Sequence, residues 1–277
     1  MGPMDELLIR PLARNLVLLV LAASVDILSR RGTRPLLCIG VVFGAVVLGV
    51  AQPVFNTSVA RALVAMLGAG VAAYLLWTFA RLAPDPLILI RLLLQAVGSA
   101  WLLESGNPYS NGALGIPGPG YELSSVMAMV FFGWVAVSLI STVIGRELFW
   151  RSRRGRYTDL LSRDEILGNS LGLSFRSVGP FAITLSSGLL LVATAGWTFL
   201  NAQIQPEAFS LEMAVLVTVG VLAGRRYSVG MYAIFLGMAF AEILAGGIFL
   251  FSRTPALIGC IVGVLAIAFS CTNPVER

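Results

Sequence analysis

Asp164 and Glu165 stand side by side after Arg163, within "GRYTDLLSRDEILGNSLG" (155–172), the most polar run of a chain that is 57% hydrophobic. These residues offer charge pairing and helix capping rather than bond-making chemistry. Ser162 is placed to cap a short helix, and Glu165 three positions later completes a capping box. Thr158, Leu160, Leu161, Ile166, Leu167, Leu171 and Leu173 set apolar side chains around the same segment. Gly168 and Gly172 permit either the close approach of another backbone or a helix end. A short amphipathic helix of this kind suits a groove on a soluble partner, and the same residues also fit an ordinary solvated loop.

A second group of candidates consists of charges inside apolar runs. Arg91, Glu212 and Glu242 are the deepest, whereas Asp26 and Arg61 lie nearer the ends of theirs. Placing such a charge in lipid costs about 2.5 to 3.5 kcal/mol, so each is a candidate for a solute path or a structural ion pair. With Gln95, the residues Arg91, Glu212 and Glu242 form the candidate translocation path. Gln52, Asn56, Ser99, Thr184, Ser186 and Ser187 either line that path or satisfy neighbouring helices.

Other chemistry is removed by composition. Histidine is absent, and all nineteen cationic side chains are arginine. A Ser-His-Asp triad, an HExxH zinc site, histidine-ligated haem, a P-loop lysine and a Schiff-base lysine are therefore excluded. Cys38, Cys260 and Cys271 lie in or at the end of apolar runs without paired spacing, which points to buried thiols rather than a disulfide framework or zinc site.

Mean hydropathy of +0.89 with 12% charged residues identifies a polytopic membrane protein. The expected fold is an all-α transmembrane helix bundle of about 8–10 spans with a short cytoplasmic amphipathic coupling helix. Apolar runs fall at roughly 12–28, 35–54, 58–82, 86–104, 122–146, 178–200, 209–224, 229–251 and 255–271. The mixed charge of residues 1–14 and the lack of a small-residue cleavage site predict that the first run is retained. Arginines concentrate on alternate connections: Arg30, Arg31 and Arg34, then Arg81, seven between Arg146 and Arg176, and Arg225 with Arg226. Loops 105–120 and 201–208 have none. Positive-inside bias then puts the connection at about 147–177 in the cytoplasm and loop 105–120 outside, although Arg10 and Arg14 fit the alternation poorly. Residues 1–277 read as a single membrane domain, and glycine-rich runs such as "MLGAGVAA" and "ILAGGIF" suit close helix packing in lipid.

Three stretches carry a resemblance. The central segment resembles the cytoplasmic coupling loop of the ABC-transporter permeases for branched-chain amino acids, with Gly155, Arg156, Arg163, Asp164, Glu165 and Gly172 at the recurring positions. "SNGALGIPGP" (110–119) looks like that family's outer loop, through Asn111, Gly112, Gly115, Ile116 and Pro117. "IQPEAFSLEMAVLVTVGVLAG" (204–224) is similar to its S-P-E-x-F-S run and the glycine-rich turn after it. The chain departs from the family where "VVFGAVVLGVAQPVFN" replaces a histidine-containing stretch and where "AGRRYSVGM" replaces a tryptophan-glycine-proline element.

The resemblance implies a permease subunit of an ABC importer in the bacterial inner membrane, moving a branched-chain amino acid, urea, an amide or a similar small solute. Implied partners are a second related permease, two cytoplasmic ATPase subunits and an extracytoplasmic solute-binding protein. ATP and Mg would be held by the ATPases, no cofactor by this chain, which is expected not to be an enzyme and has no G-x-x-x-x-G-K-[ST] motif of its own. Residues 155–172, with Gly168, would couple to the ATPases, and the loop at Asn111–Pro117 would receive the binding protein. The competing reading is a stand-alone secondary transporter driven by an ion gradient, with Arg91 and Glu242 as coupling groups.

Overall fold

The computed structural model describes residues 3–28, 67–71, 73–74, 116–117, 125–200, 203–204, 211–226 and 229–248. These are helical apart from connections and one two-residue strand pair. Helix α1 is Pro3–Leu28 and α2 is Ser125–Thr142. A π-helical stretch, Val143–Leu148, prolongs α2 into the short α3, Phe149–Arg151. Then come α4 (Arg153–Arg163), α5 (Glu165–Ser170), α6 (Phe175–Leu200), α7 (Leu211–Arg226) and α8 (Gly230–Ile248). Strands β1 (Ile116–Pro117) and β2 (Gln203–Ile204) pair antiparallel, Ile116 opposite Ile204.

Three helical stretches, Pro11–Leu28, Phe132–Arg151 and Ser177–Trp197, are long and apolar enough to cross a membrane, and Gly230–Leu244 is a shorter apolar helix. The protein is thus a helical membrane bundle. The runs expected at 35–54, 86–104 and 255–271 lie outside the described residues, as does most of 58–82.

Helix α1 occupies the centre. Every residue from Asn15 to Ile27 is buried, because α2, α6, α7 and α8 surround it. A helix that is apolar on all sides has no solvent face to keep, so full enclosure is the arrangement its sequence favours. Small residues set the distances at which the others approach. Gly220 on α7 leaves room for the Phe235 ring of α8, and a Cβ there would also stand 3.5 Å from Ala22 of α1. Gly196 does the same for the Trp134 ring, whose indole N–H donates to the Val192 carbonyl at 3.1 Å. Ser24 of α1 and Ser186 of α6 hydrogen-bond at 2.8 Å, each hydroxyl also within 3.0 Å of the other's carbonyl. Ser187, half-buried, and Thr184, exposed, donate to the carbonyls of Ile183 and Pro180 one turn back, so both hydroxyls are satisfied within α6 itself.

Contacts along the helices fix their directions. Helix α2 runs antiparallel to α6, since Trp134 meets Val192, Gly145 meets Leu189 and Phe149 stacks on Phe181 with ring centroids 5.9 Å apart. Asp26, Arg146 and Gly224, near the C-terminal ends of α1, the π stretch and α7, converge at one point, so these three helices run the same way. The C-terminal ends of these helices, each followed in sequence by arginines, therefore share one end of the bundle. The pairing of β1 with β2 joins Ile116–Pro117 to Gln203–Ile204, one short stretch from each of the two arginine-free segments. Arg14, which fits a loop tally poorly, lies on α1 within 4.0 Å of the Glu242 carboxylate of α8.

Two sequence expectations change here. The span drawn at 122–146 continues as helix to Arg151, so Arg146 belongs to the bundle and not to the connection. The capping box drawn on Ser162 and Glu165 does not form: Ser162 lies inside α4, and the break comes at Asp164, with φ −142° and ψ 98°.

Candidate functional site

Residues Ser152–Leu173 form a two-helix element at the arginine-rich end, between the α2–π–α3 rod and α6. It begins with a sharp reversal. Ser152 leaves helical geometry (φ −70°, ψ 158°), its hydroxyl donates to the Phe149 carbonyl at 2.6 Å, and it accepts from the Gly155 N–H at 3.1 Å. One side chain thus ends α3 and caps α4. Gly155 is required at this point: a Cβ would overlap the Phe149 carbonyl oxygen and stand 2.7 Å from its carbon.

Helix α4 packs against α6 and α5. Thr158 and Leu161 are buried, while Arg153, Arg154, Arg156 and Tyr157 are exposed. Asp164 separates α4 from α5. Its N–H bonds back to the Leu160 carbonyl and its carboxylate accepts from the Leu167 N–H at 2.9 Å, so it closes one helix and caps the next. Gly168 then fits under Leu161, whose Cδ2 would lie 2.5 Å from a Cβ there. Gly172 adopts φ +75° and the Leu173 N–H reaches the Gly168 carbonyl at 3.0 Å, a left-handed helix stop that suits glycine. The result leaves apolar side chains uncovered: Ile166 is 84% exposed, Leu171 63% and Leu167 47%, all close in sequence to the exposed Asp164. Arg163 is the last residue of α4 and Glu165 the first of α5.

Directly beneath lies a buried charge cluster that sequence reasoning did not find. Arg146 Nε donates to Asp26 Oδ2 at 2.9 Å, with the two side chains only 4% and 2% exposed. Its Nη2 donates to the Gly224 carbonyl at 2.9 Å, its Nη1 pairs with Glu147, and the Trp150 indole N–H reaches Asp26 at 3.3 Å. Gly224 is among the last four residues of α7, whose carbonyls have no partner within the helix, so a cation from another helix caps it. A side chain at 224 would crowd Arg146, since a Cβ would sit 2.9 Å from Nη2. The π-helical turn suits this arrangement: it directs Arg146 inward while Val143, Ile144 and Leu148 face out. The arrangement ties α1, the α2 rod and α7 together one turn before the Ser152 reversal.

Among the other candidates, Glu242 is buried, 4.0 Å from Arg14, and Glu212 lies in the first turn of α7. Ile116 and Pro117 form β1. Arg91, Gln95, Asn111, Gly112 and Gly115 lie outside the described residues. Comparison with protein-family models, with curated proteins and with solved structures found no match to this chain.

Proposed function

We propose that this chain is the permease subunit of an ABC importer, forming half of a path for a small solute and coupled through Ser152–Leu173 to cytoplasmic ATPase subunits. The observation that carries this reading is the two-helix element. It is built to be rigid, through the Ser152 and Asp164 caps and the Gly155 and Gly168 contacts, yet it leaves Ile166, Leu167 and Leu171 exposed. Rigid caps below and an uncovered apolar face above suit a part that a soluble partner grips and moves. The Arg146 cluster would pass that movement to α1 and α7. Charges at Arg156, Arg163, Asp164 and Glu165 would set the register of docking more than its affinity. Glu242 and Glu212 would lie along the path, and the partners would be a second permease, an external binding protein and ATPases holding ATP and Mg.

The test is co-purification from native membranes of the tagged chain with subunits that hydrolyse ATP. Ile166→Asp should abolish that ATPase activity in the eluate while the chain inserts and folds as before, because this side chain makes little contact with its own protein. The acidic residues need a more careful pair of variants. Asp164→Ala with Glu165→Ala removes charge and the α5 cap together, a loss of about 1 kcal/mol locally. Asp164→Asn keeps the acceptor for the Leu167 N–H and removes only the charge. If docking is electrostatic, both weaken coupled hydrolysis; if only the alanine pair does, the cap is what matters. Solute uptake by this chain alone in ATP-free vesicles would instead favour the ion-coupled transporter.

A further inference from the structure

We infer that Arg151, Arg153 and Arg154 form a binding site for the headgroups of anionic phospholipids, independent of any ATPase docking. The apolar outer face of the α2 rod runs through Val137, Ile140, Ile144 and Leu148, all exposed, and Arg151 follows at the next helical step. A lipid-facing stripe thus ends in a cation where the hydrocarbon ends, the depth at which phosphate groups lie. The Ser152 reversal then adds Arg153 and Arg154 beside it, both exposed. Arg154 is held there by stacking over the Phe181 ring of α6, 4.8 Å from its centroid.

No described carboxylate compensates the charge of this group. Among the described residues, none of Arg151, Arg153 and Arg154 pairs with a carboxylate, and Glu147, the nearest acid in sequence, is engaged by Arg146. Three guanidinium groups at the edge of an apolar face, none paired with a described carboxylate, match a surface of phosphodiesters over acyl chains. A second protein copy would cover the apolar stripe but has no stated use for the cations.

The purified full chain in detergent is mixed with equal amounts of phosphatidylglycerol and phosphatidylcholine, and the lipids it retains are counted by native mass spectrometry. Phosphatidylglycerol should be retained in excess, and Arg151→Gln with Arg153→Gln and Arg154→Gln should reduce that preference by about tenfold, allowing for screening. Lysine at all three positions should preserve it. Arg153→Gln alone should give a partial loss, which keeps the test decisive if the triple variant does not fold. No preference in the parent chain, or an undiminished one in the glutamine variants, would overturn the site. Displacement of the lipid by an equal concentration of inorganic phosphate would reveal a free-anion site and not a membrane contact. Conversion of an oligomer to a monomer with unchanged lipid preference would assign the face to a second copy and also overturn it.

Discussion

Arg146→Met destabilises the bundle by about 3 to 5 kcal/mol, whereas Arg146→Met combined with Asp26→Leu costs much less than either change alone. The asymmetry follows from burial. Asp26 is 2% exposed, and removing its guanidinium partner leaves a buried carboxylate that has lost its counter-charge and keeps the Trp150 indole as a donor. Removing both charges abolishes the desolvation cost as well as the attraction, and two apolar side chains of similar volume refill the space. What the double variant cannot restore is the hydrogen bond to the Gly224 carbonyl, so a residue of about 1 kcal/mol should remain as fraying of α7. Denaturant titration in mild detergent, followed by helical circular dichroism, measures all three. If the double variant is as unstable as the two single losses added together, Arg146 and Asp26 are not energetically coupled.

This cluster also marks where the sequence ceased to be readable. An arginine at the end of an apolar run is ordinarily a membrane-boundary signal, and Arg146 has that appearance. Only the fold discloses that Asp26, 120 residues away, lies at the same depth on a parallel helix. The available hint was one charge of each sign at corresponding ends of two apolar runs. Cap positions were ambiguous for a different reason. Ser162 and Asp164 are both good N-cap residues, and the choice between them depends on which backbone leaves helical geometry. The hydrogen bond from the Asp164 N–H to the Leu160 carbonyl carries α4 past Ser162 and decides it. In contrast, α6 and α8 were legible to within a few residues, because long uninterrupted apolar runs leave little freedom in where a membrane helix begins. The β1–β2 pairing had no signature, as two residues are too few for alternation to register.

Gly155→Ala should detach the two-helix element from the rod while leaving the bundle itself folded. The added methyl group would collide with the Phe149 carbonyl, and the Trp150 Cα would stand 3.0 Å away. These are backbone atoms of α3, so no side chain can rotate aside, and α4 must pivot outward. That movement breaks the Gly155 N–H bond to Ser152 and draws Arg154 from Phe181. Overpacking of this kind costs about 1 to 3 kcal/mol, and here it falls on a local contact and not on the core. The expected signature is therefore faster cleavage by trypsin at Arg151–Arg156, by about tenfold for each ~1.4 kcal/mol of easier opening, with little change in the denaturant midpoint. Gly188→Ala is the comparison, since a Cβ there meets nothing within 4 Å and alanine in a helix interior should stabilise slightly. Cleavage unchanged in Gly155→Ala would mean that the Ser152 reversal does not hold α4 against the rod. Any transmission of movement between Ile166 and Asp26 would then need another route.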